Sequence, residues 1–154
     1  MIQRLFPKEF GNRFPGHRLA LWLLGLFLAL KLVMSTNSIL NTASIAAGPD
    51  GFALERYGTE GAAAVLMLFA LNAVGQLTLV LLSILALARY KAMVPLIYLV
   101  WLLDQTGRRL LVESYAVERS GSGGTGFWIN MGLLMLLAVG AAVATFTTNH
   151  RGPS

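Results

Sequence analysis

Lys31 lies about twelve residues into the first long apolar stretch of the chain, and Asp104 lies about as deep in the third. An ionisable side chain at such a depth in a bilayer costs roughly 2.5–3.5 kcal/mol on insertion scales, so it is paired or faces a polar cavity. Apolar runs of this length restrict the chain to helices that satisfy their own backbone. The two opposite charges further require that those helices share a polar interior.

Composition agrees with the apolar runs. Of 154 residues, 56% are hydrophobic and only 12% charged, against about 25% charged in an ordinary soluble domain. That length accommodates one domain of three to five spans and leaves no room for a separate soluble catalytic domain. The net charge of +5 is carried by basic residues at the ends of apolar segments. There it serves orientation and contact with anionic headgroups, so the expected partner is the lipid bilayer and not nucleic acid. Cysteine is absent, which excludes disulfide exchange, thiolate nucleophiles and cysteine-held zinc or iron–sulfur centres. His17 and His150 lie outside the apolar runs near opposite ends, so a haem held by paired histidines is not expected either.

Residues 1–18 form a basic arm in which Arg4, Lys8, Arg13 and Arg18 outnumber Glu9, and Pro7 and Pro15 break any long helix. Phe6, Phe10 and Phe14 recur every fourth residue and would make an interfacial stripe if the arm were helical. The first span is placed at about 19–40; about 20 residues at 1.5 Å each cross the hydrocarbon layer. A cleaved signal peptide has the same outline, but Lys31 inside the run, with Ala43 and Ala46 lying well beyond it, argues against cleavage. Residues 42–60 read as a loop with a Gly48-Pro49-Asp50-Gly51 turn cluster and a net charge of −2.

The second span is placed at about 61–88 and ends on the basic turn Arg89 and Lys91. These flanks put the amino terminus inside, 42–60 outside and 89–91 inside. The third apolar run, Ala92 to Leu103, is only twelve residues long. It either continues past Asp104, Gln105, Arg108 and Arg109 to Val112 as a span with a polar outer half, or stops as a re-entrant segment. The full span 92–112 is favoured because the fourth, at about 127–147, then returns the chain inward. Pro95 reads as a first-turn proline, and residues 120–126 as a flexible Ser/Gly linker. The resulting expectation is an all-α, integral membrane four-helix bundle with both termini cytoplasmic and a short tail at 148–154. Arg108 and Arg109 then fall near the outer face against the positive-inside tendency, which implies local partners for both.

Lys31 lies thirteen residues beyond Arg18, and Asp104 thirteen beyond Lys91, so the two stand level, about 20 Å from the inner boundary. A direct Lys31–Asp104 ion pair between the first and third spans is the simplest expectation. Arg108, at i+4, competes for the same carboxylate and leaves surplus positive charge. Asn72, Gln76 and Ser83 fall on one stripe of the second span, and Ser35 and Ser38 continue the Lys31 face. The candidate polar pocket is therefore Lys31, Ser35, Asn72, Gln76, Asp104, Arg108 and Arg109. Two readings compete: structural interhelical bonds, or a cavity that admits an anionic or quinone-like molecule or a proton or ion path. Gly140 and Ala144, with Ala138 and Ala142, form a small-residue patch suited to close packing or a homo-oligomer. No phosphate loop, metalloprotease helix or nucleophile elbow occurs, so no catalytic or metal residue is assigned.

Four short spans, a long outer loop after the first, and a basic turn leading to an apolar run that ends in Asp104-Gln105-Thr106-Gly107-Arg108-Arg109 resemble the layout of small bacterial DoxX-like membrane proteins. The resemblance covers residues 19–147 and implies a protein of the bacterial cytoplasmic (inner) membrane. It also implies a subunit linked to quinone-dependent oxidation, with no catalytic residue carried over. Two functions follow as expectations. One is a non-enzymatic subunit or scaffold working with a membrane protein partner. The other is a quinone-linked or small-anion-binding redox or transport component.

Overall fold

The computed structural model describes Asn12, Phe14, residues 16–115 and residues 124–145. The rest of the basic arm, including Phe6 and Phe10, the tail 148–154 and positions 120–123 of the Ser/Gly stretch lie outside the described residues. The described chain is all-α. Its elements are α1 (Arg18–Leu40), α2 (Thr42–Ala47), α3 (Thr59–Arg89), α4 (Val94–Ser114) and α5 (Gly124–Thr145), with 3-10 turns at Leu54–Arg56 and Lys91–Met93.

Three helices, α1, α3 and α5, are long and apolar enough to cross a membrane. Their outer faces carry large apolar side chains in the open, among them Trp22, Leu68, Leu71 and Met135. That distribution is wrong for water and right for contact with lipid. α4 differs: its 21 residues include Asp104, Arg108, Arg109 and Glu113. It is instead well buried along one face, where Val94, Ile97, Tyr98, Trp101 and Gln105 follow one another at intervals of three and four.

Local sequence explains the ends of these helices. His17 caps α1 by accepting the Leu19 N–H at its Nδ1 (3.1 Å), and Pro95 occupies the first turn of α4, where its missing N–H costs nothing. α1 closes on Asn41, whose amide nitrogen donates to the Asn37 side chain at 2.6 Å. The 42–60 segment is not simply a loop. Its Thr42-Ala43-Ser44-Ile45-Ala46-Ala47 run continues as the six-residue α2, because alanine favours helix and Ala46 is wholly buried. Likewise the Gly124-Thr125-Gly126 end of the expected linker is the first turn of α5. Gly126 is buried there and donates its N–H to the Pro49 carbonyl at 3.0 Å. A Cβ at Gly126 would come within 2.5 Å of that carbonyl oxygen, so only glycine allows the approach.

The core joins Leu24, Phe27 and Leu28 of α1 to Val80 of α3, Tyr98 and Trp101 of α4, and Leu133 and Leu137 of α5. α1 is the hub, packed against α3 on one side and α5 on the other, while α4 leans on α5. Tyr98 donates its hydroxyl to the Ala20 carbonyl at 2.7 Å and fills the notch left by Gly140. Gly140 and Ala144 are thus buried inside the chain, which accounts for half of the small-residue patch without a second copy. A Cβ at position 140 would overlap the Tyr98 ring. Gly140→Ala is expected to destabilise the protein by about 1–3 kcal/mol, the usual range for overpacking. Thermal unfolding in detergent, followed by tryptophan fluorescence, should show that adding Tyr98→Leu costs less than the two single changes summed.

Candidate functional site

α3 touches α4 at few points along the backbone, and side chains span the gap. Three positions of the α3 stripe each reach a different α4 residue. Ser83 accepts the Trp101 indole N–H at 3.0 Å, Gln76 donates its amide to Asp104 Oδ2 at 2.9 Å, and Asn72 accepts from Arg108. Spacings of four and seven place all three on one face of a 3.6-residue helix, which is why one stripe can serve as a seam.

Lys31 and Asp104 do not meet directly. Gln76 stands between them, accepting from Lys31 Nζ at 3.3 Å through its oxygen while donating through its nitrogen to Asp104. A primary amide can do both at once because it carries an acceptor and two donors. Asp104 is occupied by other donors. Arg108 Nε approaches its two oxygens at 2.9 and 3.0 Å, and Gln105 adds a longer bond of 3.3 Å. Of the two cations expected around that carboxylate, Arg108 is in direct contact and Lys31 is not. Arg109 pairs with Glu113 at 2.8 Å, one turn on, so each arginine has its own acid at i+4. Both arginines thus have the local partners expected of them.

The polar side chains border a cavity of about 560 Å³. Lys31, Ser35, Asn72, Gln76, Arg108 and Arg109 all line it, whereas Asp104 sits behind Gln76 and Arg108. Its apolar wall includes Met34, Phe69 and Leu134, and the Pro49–Phe52 part of the α2–α3 connection caps it. Below lies the Phe27–Trp101 edge-to-face pair, ring centroids 4.9 Å apart, with Lys31 Nζ 5.9 Å from the Trp101 ring. At the rim Arg109 stacks over Phe127, its guanidinium carbon 4.3 Å from the ring centroid. That contact holds the first turn of α5 against α4 by a cation–π attraction.

Lys31, Ser35 and Gln76 are buried, while Arg108 and Asp104 keep partial exposure. Among the described residues no buried side-chain nitrogen or oxygen lacks a partner. Among the contributors that sequence reasoning left out of the site are Gln105, Trp101 and Asp50. Gln105 and Trp101 had a signal, since they continue the buried α4 face at intervals of four. Asp50 had none, because its place on the lining depends on how the α2–α3 connection folds over the cavity. Among the described residues no cluster of histidine, aspartate or glutamate could hold a metal ion.

No family model, curated protein or solved structure matches this chain. The chemistry of the site therefore rests on its own geometry.

Gln76 is the residue on which the network turns. Gln76→Leu removes the acceptor of a buried lysine and one donor to Asp104, and an orphaned buried polar group costs about 1–3 kcal/mol, more if charged. The expected result is a loss of at least that size in thermal or detergent unfolding. Asn72→Ala, at an exposed position on the same stripe, should cost well under half as much.

Proposed function

We propose that this chain is a four-span integral protein of a bacterial cytoplasmic membrane, with both termini inside and a layout like that of DoxX-like proteins. In this reading α4 is the third span. Its charged half is tolerated because Asp104, Arg108, Arg109 and Glu113 pair with one another and the helix is covered by neighbours along its buried face. α4 is about 30 Å long at 1.5 Å per residue, sufficient to cross. The protein acts as a non-catalytic binding component of a membrane assembly. Its cavity takes a small amphiphile with a hydrogen-bond-accepting head, a quinone or a small organic anion.

One observation carries this reading: a buried lysine faces a cavity of about 560 Å³ whose remaining walls are largely apolar. That volume falls in the range of roughly 300–1,000 Å³ typical of small-molecule sites, and such sites combine apolar walls with a few placed polar groups. A scaffold reading has its own support, because every buried side-chain polar atom among the described residues is satisfied within the chain. Such a network can serve purely as interhelical adhesion.

Titration of the protein in nanodiscs with a panel of quinones and carboxylate amphiphiles separates the two. A ligand at one hundred times its Kd stabilises the folded state by about 2.7 kcal/mol, a measurable rise in Tm. The rise should be abolished by Ala73→Trp, which fills the cavity from a buried position on α3. No rise with any member of the panel would leave the scaffold reading in place.

The absence of cysteine makes the topology directly testable with single introduced cysteines. In intact cells Glu55→Cys should react with a membrane-impermeant maleimide, whereas Ala88→Cys should react only after the membrane is opened. The reverse pattern would overturn the proposed orientation.

A further inference from the structure

We infer that the head group recognised in this cavity is a carboxylate, and that Lys31 is the residue that binds it. The inference rests on the reading of the cavity as a ligand site and narrows the ligand from any hydrogen-bond acceptor to a carboxylate-bearing amphiphile.

Direct ion pairing around the cavity sets Lys31 apart. Among the described residues the surroundings contain the cations Lys31, Arg108 and Arg109 and the acids Asp50, Asp104 and Glu113. Arg108 is held by Asp104 and Arg109 by Glu113, each within 3 Å. Asp104 is further engaged by Gln76 and Gln105. Lys31 is treated differently. It is 6% exposed, its hydrogen bond goes to the neutral oxygen of Gln76, and among the described residues no carboxylate oxygen lies within 4 Å of its Nζ. An ammonium carries three donors, so two remain to face the cavity.

A buried cation whose hydrogen bond goes to a neutral amide, with no carboxylate among the described residues in direct contact, keeps part of its desolvation cost, and a ligand carboxylate offsets it with a charge-assisted bond. A neutral quinone carbonyl accepts a hydrogen bond but leaves the charge uncompensated. Met34, Phe69 and Leu134 supply the wall for an apolar body. A carboxylate attached to a short hydrocarbon or aromatic body satisfies all of these constraints.

The test is equilibrium binding to the full-length protein in nanodiscs, with dodecanoate, methyl dodecanoate and a decyl-substituted benzoquinone as probes. Dodecanoate is expected to bind at least tenfold more tightly than its ester or the quinone. Lys31→Met should weaken dodecanoate at least tenfold while leaving the ester unchanged, and Lys31→Arg should retain most of the affinity. Comparison of the three probes on the unaltered protein stands even if Lys31→Met fails to fold. Benzoate binding in addition would place the source of the ligand in water, and its failure would place it in the bilayer; both keep the carboxylate. Preference for the quinone, or dodecanoate binding that survives Lys31→Met, overturns the inference and leaves the cavity a ligand site. Failure of every probe would instead count against the ligand-site reading itself.

Discussion

A lysine buried among apolar helices has to be given a partner, and much of the arrangement at one end of this protein follows from how that is done. Gln76 turns its oxygen to Lys31 and its nitrogen to Asp104, so one amide links α1, α3 and α4. Amides suit this position because they bond on both sides without adding charge. A carboxylate at position 76 would attract Lys31 but repel Asp104. The individual bonds are modest, about 0.6–2 kcal/mol each between helices in a membrane. Their value lies in direction, since they hold α3 beside α4 where the backbones themselves make few contacts.

The opposite end is held by shape and not by charge. Tyr98 can reach the Ala20 carbonyl because Gly140 offers no side chain in its way, and that bond ties α4 to α1 across α5. Between the two ends, Phe27 and Trp101 meet edge to face and close off the apolar core from the polar cavity. The apolar core and the polar cavity thus occupy different parts of the described bundle. Gly126 performs at the cap what Gly140 does in the core, letting the Pro49 carbonyl approach the first turn of α5.

This division gives the cavity its character. Its walls are largely apolar, while the satisfied network fixes Gln76 and Arg108 in place beside Lys31, whose ammonium keeps donors beyond its bond to Gln76. In the proposed role, a preorganised cavity of this sort would lose little entropy on binding, since its side chains are already ordered by one another. The same bonds that serve as adhesion between helices would then also orient a site, and the two roles differ only in whether Lys31 receives a ligand.

Much was legible in the sequence because apolar length and helical period are local properties. The all-α class, the three helices apolar enough to cross a membrane and the shared stripe of Asn72, Gln76 and Ser83 follow from residue spacing, and Lys31 and Asp104 identify themselves by their cost in an apolar run. Equal depth was legible as well, but equal depth is not contact. Whether Lys31 meets Asp104 or an intervening Gln76 depends on helix rotation and on which donors reach the carboxylate first. Arg108 and Gln105, on the same helix as Asp104, have the advantage of proximity. The pairing of each arginine with its own acid, the helical turn inside the expected loop and the arrival of Asp50 at the cavity were likewise decided by tertiary packing. Sequence determined which side chains could not face lipid; the three-dimensional fold decided which of them satisfied one another, because that choice is made by distances between helices that no single helix encodes.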